Sequence, residues 1–112
     1  MKQPDQIVSA LAALAQQHRL AVFRMLVEAG PDGLAAGVIA TRLDLAPSSL
    51  SFHLAQLERA GLVSTVRAGR SILYSADFAA MTALVSYLTE NCCGGSTCET
   101  PATPVPPERN AA

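Results

Sequence analysis

No run of 18 or more apolar residues interrupts the 112-residue chain, although half of it is hydrophobic, so no segment is expected to cross a membrane as a helix. The opening stretch Met-Lys-Gln-Pro-Asp-Gln lacks the apolar core of a secretory leader, and the expected compartment is the cytoplasm. Histidine occurs only at His18 and His53. There is no nucleophile–base pair, no phosphate-binding glycine loop and no carboxylate dyad, so neither an enzyme nor a catalytic cofactor is expected. The three cysteines, Cys92, Cys93 and Cys98, all lie near the carboxyl end. An odd number in a reducing compartment points to thiols or metal ligands rather than structural disulfides. Basic charge is scarce too: the net charge is −1, which by itself gives no reason to expect nucleic acid, whose phosphates are met by Lys and Arg. Distribution changes that, because between Ala40 and Ala76 four arginines (Arg42, Arg59, Arg67, Arg70) face only Asp44 and Glu58, a local balance of +2.

What is present is helical periodicity. With 15% charged residues the chain can bury a core as one small domain without disulfides. Ile7, Leu11 and Leu14 form a first stripe, and Leu20, Phe23 and Val27 a second that ends at Gly30-Pro31. Asp32-Gly33 reads as a turn, and Ala36, Ile39, Ala40 and Leu43 mark a short third helix. Then comes Ser48 to Val63, preceded by Pro47, which suits a first helical position, and containing Gly61, which suits the position past a helix end. Leu50, Leu54 and Leu57 there share one stripe, while Ser49, Phe52, His53 and Gln56 recur on another side with groups able to meet base edges. The period then falls to two, with Val63 and Thr65, then Ile72 and Tyr74, around an Ala68-Gly69 turn: a β-hairpin. Phe78, Met81, Val85 and Leu88 restore the helical period to about Asn91. The expected fold is mainly α with a small β-hairpin, a winged helix-turn-helix over residues 1–93, followed by a proline-rich tail, 94–112, that carries Cys98 and cannot pack a core.

The pattern Ser-x-x-Ser-x-His-Leu-x-x-Leu-x-x-Ala-Gly-Leu-Val over Ser48–Val63 resembles the recognition-helix motif of the ArsR/SmtB family of bacterial metalloregulatory repressors. The likeness runs from about Ile7 to about Glu90, including Ala-Leu-Ala at 13–15, Arg19-Leu20 and the hairpin Arg67-Ala-Gly-Arg-Ser-Ile-Leu-Tyr74. Where the family carries Asp-Pro-Thr, this chain has Gln16-Gln17-His18, so the usual capping Asp of the second helix is missing. The resemblance implies a homodimer, formed through the first and last helices, on palindromic double-stranded operator DNA. Ser48, Ser49 and Ser51 would reach phosphates or bases, His53 and Gln56 would hydrogen-bond in the major groove, and Phe52 would meet an apolar group such as a thymine methyl. Arg67 and Arg70, beside the wing tip, suit phosphate or minor-groove contact. The plainer readings are a solvated helix face and solubilising arginines.

The family's two familiar metal sites are absent: the last helix has no histidine, and Leu34-Ala-Ala-Gly-Val38 has no cysteine pair. His18 reads as an exposed helix-start residue. The remaining ligand set is Cys92, Cys93 and Cys98, whose soft thiolates suit a three-coordinate centre such as trivalent arsenic or antimony, whereas tetrahedral zinc would lack a fourth good ligand. Gly94-Gly95 lets the chain fold Cys98 back onto the adjacent pair. The function expected from the resemblance is a repressor of a metalloid-resistance operon, released when the ion binds. A redox-responsive regulator using a Cys92–Cys93 or Cys93–Cys98 disulfide stands as the alternative, and cysteines without consequence as the plainer reading.

Overall fold

A computed structural model describes residues 4–95, where the apolar stripes become five helices: α1 (Pro4–Leu14), α2 (Gln17–Ala29), α3 (Ala36–Leu43), α4 (Pro47–Arg59) and α5 (Phe78–Thr89). The missing Asp does not leave α2 uncapped. Gln16 adopts an extended backbone and its side-chain oxygen accepts the Arg19 N–H at 2.9 Å, the service an Asp cap would render. Asp44 ends α3 in the left-handed conformation at φ 54°, and Pro47 opens α4 where its missing N–H is not needed. Past α4, Gly61 takes φ 81°, and the Leu62 N–H returns to the Leu57 carbonyl at 3.0 Å, closing the helix as expected of a glycine in that place.

Three short strands form one antiparallel sheet: β1 (Leu34–Ala35), β2 (Val63–Ala68) and β3 (Ser71–Ala76), in the order β1-β3-β2. Ala68 pairs with Ser71, so the hairpin turn is Gly69-Arg70 rather than Ala68-Gly69. The first central residue of so tight a turn needs positive φ, and Gly69 supplies it at 66°. Opposed residues share a face, so Val63, Thr65, Ile72 and Tyr74 lie together as their alternation implies, with Arg67 opposite Ile72. The third strand, β1, pairs Leu34 with Tyr74 and Ala35 with Leu73, joining the wing to the residue that leads into α3.

The core is built by Leu26, Ile39, Leu50, Leu54, Leu57 and Leu62, each nearly or fully buried, with Ile7, Ala10 and Ala13 from α1 and Leu84 from α5. Several apolar positions expected inside lie outside: Leu11 is 41% exposed, Leu20 45%, Val85 54% and Leu88 59%. Helix α1 turns Ala10 and Ala13 inward, where small side chains allow close approach to its neighbours, and leaves Val8 and Leu11 on the surface. Helix α5 is apolar nearly all round yet buries only Leu84. A helix of that composition is ordinarily covered on more than one side.

Gly33 is where β1 comes close to the wing. It has φ 73°, and a Cβ placed on it would lie inside contact distance of the Tyr74 carbonyl oxygen. Gly33→Ala should therefore lower stability by about 2–3 kcal/mol, combining left-handed strain with a backbone clash. Gly61→Ala, at φ 81° with nothing within 4 Å, should cost only about 1 kcal/mol. Urea unfolding of the two variants separates them; equal costs would mean that the β1–β3 approach is easily relaxed.

Candidate nucleic-acid interface and thiol cluster

Because Leu50, Leu54 and Leu57 anchor α4 to the core, its other sides are set by helical geometry. Ser48, Ser49, Ser51 and Phe52 are exposed, and Phe52 keeps 57% of its surface in solvent. An exposed ring among hydroxyls is costly to hydrate and suits an apolar contact in a groove. On the wing, Arg67 and Arg70 are exposed at and beside the turn. The structure thus places these six residues on accessible surface.

His53 and Gln56 stand differently, half-buried on the flank of α4 that faces α1 and α2. Gln56 lines an open groove of about 260 Å³ with Arg19 and Arg59. The Arg19 guanidinium donates its Nε–H to the Ala13 carbonyl at 2.8 Å and extends Nη1 to within 3.5 Å of His53 Nδ1. The His18 ring lies 5.7 Å from the His53 ring, centroid to centroid, and Phe52 meets His53 edge-on at 5.9 Å. His18 is exposed at the start of α2, as read from the sequence, but its place beside α4 was not legible there. Residues 18 and 53 are joined only by the tertiary fold.

Partial burial, then the Arg19 guanidinium, then the His18 ring push His53 below histidine's ordinary pKa of 6.5. The unfolded chain, whose His53 titrates near 6.5, binds the extra proton more readily than the fold does. This contribution to stability is present above pH 6.5 and is lost as pH falls from there through the lower folded value. His53→Gln should flatten the decline in urea midpoint between about pH 7 and pH 5 relative to the parent chain. Parallel profiles would show that His53 is not the group responsible.

At the end of α5 the chain turns sharply. Asn91 and Cys93 both have φ 57°, followed by Gly94 at 68° and Gly95 at 96°, and residues Cys92–Gly95 form a single short turn. The sequence placed the helix end near Asn91; it lies at Thr89, and the 93/94 boundary expected between domain and tail falls inside this turn. Cys92 and Cys93 are exposed, and Cys92 Sγ approaches Cys93 Sγ to 3.7 Å, so two sulfurs of the expected set already point the same way. Cys98 lies outside the described residues. Among the described residues, no group of three or more His, Cys, Asp or Glu side chains is arranged to hold a metal, and no helix is long and apolar enough to cross a membrane.

Residues 14–66 match the model of a helix-turn-helix domain. The chain is 33% identical over 87 residues to the transcriptional activator HlyU of Vibrio cholerae, covering 78% of both proteins. Among solved structures it is similar to an ArsR-like transcriptional regulator from Rhodococcus sp. RHA1, with 31% identity, a TM-score of 0.68 and coverage of 75% of this chain and 76% of that one. It is also similar to the homodimeric winged helix-turn-helix DNA-binding domain of a Mycobacterium bovis protein, with 27% identity, a TM-score of 0.61 and coverage of 86% and 89%.

Proposed function

The chain belongs to the ArsR-type helix-turn-helix transcriptional regulators, and from that premise we propose a homodimeric repressor that leaves its operator when trivalent arsenic or antimony binds the cysteines after α5. The observation that carries the DNA half is the exposed face of α4: Ser48, Ser49, Ser51 and Phe52 stand free of the core that Leu50, Leu54 and Leu57 hold, with Arg67 and Arg70 on the wing beside them. Two copies related by a twofold axis present two such helices, which is why the operator would be a palindrome of double-stranded DNA. The homodimeric relative supports that assembly, as do the apolar surfaces of α1 and α5.

The effector half rests on the thiols. Arsenous acid, a neutral trihydroxide, exchanges its three hydroxides for the sulfurs of three thiols, whose protons leave with the hydroxides as three waters, with no change of oxidation state. Cys92 and Cys93 supply two sulfurs at 3.7 Å, and Cys98 would supply the third. Trivalent arsenic and antimony carry a lone pair and favour such soft, pyramidal sets. The ion would order the chain directly after α5, the helix assigned to the dimer contact. Capture of the ion shifts the DNA equilibrium only through a difference in its affinity for the bound and unbound dimers.

The DNA assignment is tested by comparing an operator selected from random sequence with unrelated DNA. Gln56→Ala and His53→Ala should weaken operator binding by about 1–3 kcal/mol each and unrelated DNA much less. Arg67→Ala and Arg70→Ala should weaken both alike and reduce the salt dependence. If the His53 and Gln56 variants bind the operator as the parent does while remaining folded, that flank of α4 is not the reading face.

A further inference from the structure

Arg19 belongs to α2, outside the set of residues assigned to DNA, yet it reaches the recognition helix at one atom. Its side chain makes two contacts: Nε–H donates to the Ala13 carbonyl at 2.8 Å, and Nη1 lies 3.5 Å from His53 Nδ1. A guanidinium has only donors and does not lose its proton in the working range, so the nitrogen it approaches must offer a lone pair. From this geometry we infer that Arg19 is a positioning residue that holds His53 as the neutral tautomer with its proton on Nε2, so that α4 presents a hydrogen-bond donor, never an acceptor, at this position. The inference rests on α4 as the reading helix.

The chemistry gives that choice a meaning for sequence recognition. An Nε2–H can donate to guanine O6 or N7, adenine N7 or thymine O4, but it cannot accept from the amino groups of cytosine or adenine. Were the proton on Nδ1, the pattern would reverse and the Arg19 donor would meet another donor. Charging the ring places a proton on Nδ1, directly against the guanidinium. That is disfavoured by partial burial, then by the Arg19 guanidinium, then by the charge interaction with His18, the groups that face the ring. On α4 itself the ring's neighbour is Phe52, which carries no charge. The Ala13 contact matters because a loose arginine would follow either tautomer, whereas one tied to the end of α1 selects one.

Nitrogen-15 spectra of the histidine rings in the full-length protein test this without DNA. In the parent chain Nδ1 of His53 should show the shift of an unprotonated ring nitrogen above pH 7, and its titration midpoint should lie below 6.5. Arg19→Gln removes the charge and offers an acceptor as well as a donor; a population protonated on Nδ1 should appear, and the midpoint should move upward. Arg19→Lys, which retains the charge but not the Nε–H bond to Ala13, should keep the midpoint low while losing tautomer purity. His18→Ala should raise the midpoint slightly and leave the tautomer unchanged. An Nδ1-protonated ring in the parent chain overturns the inference even if every variant misfolds, and so does an identical His53 titration in the parent and in folded Arg19→Gln. The DNA reading fails separately: His53→Ala with full operator preference would remove His53 from the reading set whatever its tautomer.

Discussion

Val85→Asp combined with Leu88→Asp should yield a folded monomer whose affinity for a two-half-site operator is lower by about a hundredfold or more, because the second head no longer binds at the high effective concentration that dimerisation provides. Both side chains are more than half exposed, so neither change empties the core. Leu84, one residue before the first site changed and four before the second, remains the buried residue that ties α5 to its own core. In a dimer, by contrast, two carboxylates per helix would enter an apolar contact without partners, a cost that association cannot absorb. Light scattering reports the assembly, far-ultraviolet circular dichroism the fold, and a gel shift the operator affinity. A variant that remains dimeric and binds normally would place the contact elsewhere, with Val8 and Leu11 of α1 the next apolar surface to test.

Replacing any one of the three cysteines by serine should raise the arsenite concentration needed to release DNA by more than about tenfold, since losing one donor turns a three-point chelate into a two-point one. DNA affinity without arsenite should stay within about twofold. Cys92 and Cys93 are exposed, and the turn they occupy lies beyond the last buried residue of α5. Truncation after Asn91 removes every thiol and should abolish the response altogether. Titrations in excess reductant distinguish the ion from oxidation: release by arsenite under reducing conditions supports the chelate, whereas release only on adding an oxidant supports a disulfide switch on the same sulfurs. A truncated protein that still responds to arsenite would sink the thiol assignment in either form.

The elements were legible wherever a local rule had a local cause. Pro47 and Gly61 bracket α4 through backbone constraints that act within a turn, and the Leu50, Leu54, Leu57 stripe is buried as its spacing requires. Periodicity failed where it had to identify whose core a residue joins. Leu11, Val85 and Leu88 fall on helical stripes, yet the fold leaves each of them exposed over two-fifths of its surface or more, because spacing marks an apolar side without saying what packs on it. Ala10 and Ala13 were overlooked as core residues since small side chains carry little hydrophobic signal, though they let α1 approach closely. At two residues, β1 is too short to show alternation; its trace was Gly33, read only as a turn residue. The contacts of His53 with His18 and Arg19 span more than thirty positions and have no local signal at all.

That two-residue strand also bears on what an effector can change. Ala35 pairs with Leu73 of the wing and at the same time precedes the first residue of α3, so wing and helix-turn-helix share a backbone hydrogen-bonded seam. In the proposed dimer each reading head would then move as one piece, its own grip on a half-site hard to alter without breaking the sheet. The adjustable quantity is the distance and rotation between the two heads, which DNA meters in helical turns of about 10 base pairs. Under the proposed function, the spacer of the operator, rather than its contacted bases, would be the ruler against which the effector-bound and effector-free dimers differ.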